Sequence, residues 1–175
     1  MLINISDILS HENQVVQKEV VLEMEEFTFK MGTFPIIEKT PVHLILTNMG
    51  NKKLLVEGMV DLSLVIPCAR CLEDVKTDMH LNISKEVDMK ISDEERMKEM
   101  DETHFMLGYD LDVEKLIYGE ILLNWPIKVL CKEDCLGICS ICGKNLNLGK
   151  CECDTETLDP RMAAIQDVFK KFKEV

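Results

Sequence analysis

The sequence predicts an α+β fold: an antiparallel, partly barrel-like β body, then a cysteine-rich segment, then a C-terminal helix. Three observations predict it. Apolar residues alternate with polar ones through most of the first ninety positions, which is the period of half-buried strands. The period changes to helical spacing after position 112. Eight cysteines fall into two groups, Cys68 with Cys71, and Cys131, Cys135, Cys139, Cys142, Cys151 and Cys153.

Taken in order, Val20, Leu22 and Met24 alternate, the phase slips at Glu25-Glu26, and Phe27 and Phe29 resume it. A one-residue slip inside a strand predicts a β-bulge. Val42, Leu44 and Leu46 alternate again, and Asn48-Met49-Gly50-Asn51 is a turn. Leu54, Val56, Val60, Leu62, Leu64 and Ile66 keep period two, as do Val75, Met79, Leu81, Ile83, Val87, Met89 and Ile91. These two long strands bracket Cys68-Ala-Arg-Cys71, so the expected unit is an antiparallel hairpin with the two cysteines at its tip.

The stretch from Asp93 to Glu102 is acidic and lacks a strand pattern; a solvated loop or short helix is expected there. Val113, Leu116, Ile117 and Ile121 follow helical spacing near 112–124. Asp112 is placed to cap this helix, and Trp125-Pro126 ends it. Trp125 is expected to pack rather than to stack on bases. Asp159-Pro160 opens a second helix over 159–175, with Met162, Ile165, Phe169 and Phe172 as its apolar stripe. The expected organisation is a single domain, 1–175. It comprises a β-rich body (1–130) with its one helix, a cysteine-rich metal segment (131–153) and the C-terminal helix.

Composition bounds the function. At 175 residues and 46% hydrophobic the chain can bury a real core. A net charge of −12 opposes tight, sequence-independent grip on phosphate and suits a basic protein partner. Nine aromatics, several on core stripes, leave little for a base-stacking platform. The N-terminus has no basic n-region, apolar h-region or small-residue cleavage site, and no apolar run reaches membrane-spanning length. A cytoplasmic location is therefore expected, where thiols stay reduced.

In that compartment the cysteines read as metal ligands rather than disulfides. Zinc takes four ligands in a tetrahedron, and a Cys-x2-Cys turn aims two sulfurs at one centre. Eight thiols suffice for two structural zinc sites. Cys139, Cys142, Cys151 and Cys153 can close one locally, because Gly143 and Gly149 flank the loop between them. Cys68 and Cys71 must then find Cys131 and Cys135. A competing pairing joins Cys131, Cys135, Cys139 and Cys142; the first is preferred. Arg70, between the first two cysteines, can offset thiolate charge, meet an anionic partner, or simply sit exposed at a turn.

No phosphate loop, dinucleotide fingerprint or nucleophile elbow is present. His11, His43, His80 and His104 are scattered. All-thiolate sites are closed, so the cysteine chemistry points away from catalysis.

The order Cys68-Ala-Arg-Cys71-Leu72, Trp125-Pro126, Cys131-x3-Cys135-x-Gly137-x-Cys139-x2-Cys142-Gly143-x-Asn145-Leu146-Asn147, Cys151-x-Cys153 and Asp159-Pro160-Arg161 resembles the YceD family. That family is also called the large ribosomal RNA subunit accumulation protein family. The resemblance implies a ribosome-biogenesis factor, without catalytic activity, that promotes accumulation or processing of large-subunit ribosomal RNA. With the charge, it points to a large-subunit ribosomal protein or precursor particle as partner rather than to free RNA. The alternative reading is a redox-sensing zinc-thiolate chaperone, since Cys-x2-Cys with Cys-x-Cys is also the ligand vocabulary of oxidation-sensing holdases.

Overall fold

A computed structural model describes residues 1–90 and 105–153. The acidic segment 93–102, Ile91 and the helix expected over 159–175 lie outside these residues. The described chain is mostly antiparallel β. It divides into two compact units: Met1–Ile66 with Asp74–Val129, and Pro67–Glu73 with the chain from Leu130 onward.

Among the described residues the first unit carries two sheets. The smaller has three strands in the order β1 (Leu2–Asn4), β9 (Asp110–Asp112), β8 (Met106–Leu107). The larger has the order β2 (Val15–Val20), β5 (Val42–Asn48), β6 (Lys53–Pro67), β4 (Gly32–Lys39), β3 (Glu26–Phe29), with β7 (Asp74–Asp88) also paired to β6. Strands β4 and β5 lie end to end along β6. Ile36 pairs with Leu64 and His43 with Met59, and Thr40 bridges the junction through its bonds to Asp61. The strand order stays open, so the partial barrel expected from the sequence does not close among the described residues.

The long hairpin matches the alternation that predicts it. Leu54, Val56, Val60, Leu62, Leu64 and Ile66 of β6 and Met79, Leu81, Ile83 and Val87 of β7 are all buried. Residues 49–52 connect β5 to β6, with Met49 N–H donating to Lys53 O at 2.9 Å and a tight turn running from Gly50 to Lys53. Asn51 and Lys52 both take positive φ (53° and 61°), and Lys53 N–H donates to Gly50 O at 2.9 Å. This is the primed turn whose twist suits a hairpin. Gly58 lets β5 approach β6: a Cβ there would sit 2.6 Å from His43 O.

One expectation is corrected. Residues 21–25 belong to no strand, so the phase slip at Glu25-Glu26 is not a bulge. It is the gap between β2, which pairs with β5, and β3, which pairs with β4. The register irregularity lies instead in β4, between Ile36 and Glu38. There Ile36-Ile37 breaks the alternation and Ile37 turns outward.

Among the described residues two helices complete the unit, the single turn α1 (Ser6–Leu9) and α2 (Val113–Leu123). Asp112 caps α2 as expected, accepting from Lys115 N–H. Its buried face presents Val113, Leu116, Ile117 and Ile121, with Glu120 paired to Lys85 at 3.2 Å. Trp125, just beyond, packs against Phe27, Phe29 and Phe34 with ring centroids 4.7–5.5 Å apart, and Phe27 is fully buried. The only tryptophan is thus a packing residue.

Candidate metal centres

The eight cysteines form two tetrads in the second unit. Cys68, Cys71, Cys131 and Cys135 make one, and Cys139, Cys142, Cys151 and Cys153 the other; within each, the sulfurs lie within 4.8 Å of one another. The alternative grouping of Cys131, Cys135, Cys139 and Cys142 is not the one assembled. All eight thiols are free.

Each tetrad is built on a knuckle, and the two knuckles share a geometry. In the first, Leu72 N–H donates to Cys68 O at 3.0 Å and Arg70 N–H reaches Cys68 Sγ at 3.5 Å. In the second, Gly143 N–H donates to Cys139 O at 2.9 Å and Ile141 N–H reaches Cys139 Sγ at 3.4 Å. The residue after the second cysteine is left-handed in both, Leu72 at φ 64° and Gly143 at φ 72°. Glycine adopts this conformation freely, whereas leucine pays about 1–2 kcal/mol for its Cβ.

The first tetrad is the more enclosed. Cys68, Cys71 and Cys135 are buried, whereas Cys142 is exposed. The 131–135 segment is held to the hairpin tip by Arg70, whose guanidinium donates to Cys135 O at 2.7 Å. Arg70 therefore works as a tie between backbones. Gly137 (φ 80°) comes close enough that a Cβ would lie 3.1 Å from Arg70 O, and Ile138 N–H donates to that oxygen at 3.2 Å. Asn147 Nδ2 donates to Cys135 Sγ at 3.3 Å and Asn147 Oδ1 accepts from Leu136 N–H. Asn145 Nδ2 donates to Glu73 Oε1 at 2.8 Å. Apart from Arg70, these supports have no signal in the sequence beyond the Asn-x-Asn pattern of a polar loop.

The donor set fits a tetrahedral cation. Arms of ~2.3 Å give sulfur–sulfur edges of about 3.8 Å. Cys68–Cys135 is 3.8 Å and Cys71–Cys131 is 3.5 Å, far beyond the ~2.05 Å of a disulfide. The electrostatics agree. Burial opposes ionisation of Cys68, but N–H groups of Cys71, Arg70 and Cys131 outweigh it and bring its pKa down to about 6. The Glu73 N–H favours the Cys71 thiolate, yet burial and the crowding of Cys131, Cys68 and Cys135 push Cys71 up to about 12. In the second tetrad, N–H groups of Cys142 and Ile141 lower Cys139 to about 6, while Cys142 and burial push Cys153 up to about 12. Four sulfurs so close do not all ionise alone; a divalent cation among them reverses that. Either tetrad can hold a metal ion.

Among the described residues no helix is long and apolar enough to cross a membrane. The chain is 29% identical over 115 residues to uncharacterized proteins of Mycobacterium bovis and Mycobacterium tuberculosis, covering 66% of this chain and 55% of each of those. It is 27% identical over 139 residues to the Arabidopsis thaliana protein named large ribosomal RNA subunit accumulation protein YCED homolog 1, chloroplastic, covering 62% of this chain and 42% of that one. The chain spans about half the length of the relatives it matches. No solved structure matches it. The family described as large ribosomal RNA subunit accumulation protein YceD matches residues 56–169, a span that takes in most of the long hairpin, both knuckles and all eight cysteines. The chain therefore belongs to the YceD family.

Proposed function

We propose that this protein is a non-catalytic zinc protein of the cytoplasm that promotes accumulation or processing of large-subunit ribosomal RNA. In this reading Cys68, Cys71, Cys131 and Cys135 hold one zinc ion, and Cys139, Cys142, Cys151 and Cys153 hold a second. Zinc in such closed four-thiolate sites supplies a cross-link and offers no open position for substrate. The family match through both knuckles is the observation that carries the reading. The two tetrads, with sulfur spacings suited to tetrahedral metal, support the cofactor.

A net charge of −12 favours action through a basic ribosomal protein or a precursor particle over direct grip on free RNA. The test of function is a deletion strain. Mature large-subunit RNA should fall relative to small-subunit RNA; an unchanged ratio with an unchanged precursor profile refutes the reading. The test of cofactor is elemental analysis of protein purified under reducing conditions, which should give two zinc ions per chain. A metal-free, folded protein refutes it.

A further inference from the structure

The first knuckle carries an apolar side chain where the fold would do better without one. Leu72 is 63% exposed and sits at φ 64°. The matching position of the second knuckle is Gly143 at φ 72°, the residue this backbone favours. Nothing about holding Cys68 and Cys71 requires a leucine there, because the second knuckle closes the same hydrogen bond with glycine. A strained backbone that holds out an aliphatic side chain marks a contact made with another molecule. Two more exposed aliphatics, Leu136 and Ile138, lie on the segment whose Ile138 N–H bonds to Arg70 O, two residues before Leu72.

We propose that Leu72, with Leu136 and Ile138 on the adjoining segment, is the docking point for a basic protein that offers an apolar pocket. The proposal rests on the biogenesis reading above and names the surface through which a basic ribosomal protein is engaged. Charge selects this occupant. In this unit Arg70, Lys132, Lys144 and Lys150 balance Glu73, Glu133, Asp134 and Glu152 among the described residues. Each four-thiolate site closed on a divalent ion then adds a formal −2, which leaves the loaded unit negative. A second copy of a chain at −12 is repelled. RNA is repelled too, and aliphatic side chains offer no ring for bases to stack on.

The experiment uses zinc-loaded full-length protein and a panel of purified basic large-subunit ribosomal proteins at physiological salt, with large-subunit RNA as a separate arm. Leu72→Gly removes the side chain and relieves the backbone together. It should keep both zinc ions and melt no lower than wild type, yet bind its panel protein at least about tenfold more weakly, in keeping with one buried leucine. Leu136→Ser should also weaken binding, and Ile37→Ser, an exposed aliphatic on β4, should not. If Leu72→Gly binds as tightly as wild type, the docking surface is refuted and the biogenesis reading stands. If Leu72→Gly loses zinc, Leu72 is structural and the proposal falls. If wild type binds no panel protein, or binds RNA instead, the partner reading fails and this inference with it.

Discussion

Asn147 gives a sharp test of how the first tetrad is supported. Its Nδ2 donates to Cys135 Sγ at 3.3 Å and to Asn145 Oδ1 at 2.9 Å, while its Oδ1 accepts Leu136 N–H at 2.9 Å. Cys135 also takes the backbone N–H of Gly137, and the neighbouring thiols of Cys131 and Cys71 favour its thiolate further. Burial opposes the thiolate, and these partners together outweigh it and hold the Cys135 pKa below its ordinary value. Asn147→Ala removes the one side-chain amide among them and leaves Leu136 N–H without its acceptor. Losing an outer-shell partner of a metal ligand weakens metal binding by about 10–100-fold. Asn147→Asp should be worse than Ala, since it keeps an acceptor where a donor is needed and adds negative charge beside a thiolate. Zinc competition against a chromophoric chelator reads both sites in one titration. One of the two release steps should move by this factor and the other should stay in place, because the second tetrad takes its donors from Ile141 and Cys142. Equal weakening of both steps, or no change in either, refutes the assignment of Asn147 to one site.

Gly58→Ala should destabilise the β body by about 1–3 kcal/mol in chemical denaturation, because the new methyl meets His43 O at 2.6 Å and Leu44 Cδ2 at 2.8 Å; an unchanged midpoint contradicts the close approach. Cys142→Ser should cost amide-exchange protection in residues 139–153 while β6 around Leu62, in a core of its own, keeps its protection; equal loss in both contradicts the two-unit division. The hydrogen bond and charge of Asp61, at 2.7 Å, raise the His80 pKa above 6.5. The folded state thus holds this proton more tightly, so the contribution is full below pH ~6.5 and fades as pH rises through the raised value. In an NMR titration Asp61→Asn should bring the His80 midpoint back down; a midpoint that stays put removes Asp61 as the cause.

The sequence made some of this legible and hid the rest, for physical reasons. The β6–β7 hairpin is readable because each strand is fifteen residues long and one face is buried, so period two repeats many times. Helix α2 is readable because Asp112 and Trp125-Pro126 punctuate it. Strand β4 hides because Pro35 and the Ile36-Ile37 step break its alternation at the irregularity. Strands β1, β8 and β9 hold two or three residues each, too few to show a period. Cysteine spacing made the two tetrads legible, since only a fold-back at the glycines closes the distal one locally. The supports of the first tetrad are not legible. Asn147, Gly137 and Arg70 meet only because distant segments come together, and the left-handed backbone at Leu72 contradicts its residue type.

The two tetrads also differ in how much chain each must gather. Cys71 and Cys131 are 60 residues apart, whereas Cys142 and Cys151 are separated by roughly nine. Ring closure from a random chain costs (3/2)RT ln n, so the first tetrad is harder to assemble unaided by about 1.7 kcal/mol. During synthesis, β6, β7 and α2 are all made before Cys131 leaves the ribosome. If those elements fold as they emerge, the long ring is already shortened when its last two sulfurs arrive. The distal tetrad needs no such help and can gather its four sulfurs from chain that has only just appeared. If the tetrads take up metal, an order follows from the topology: the local tetrad closes on its own short ring, and the long-range one completes only where β6 and β7 have already paired.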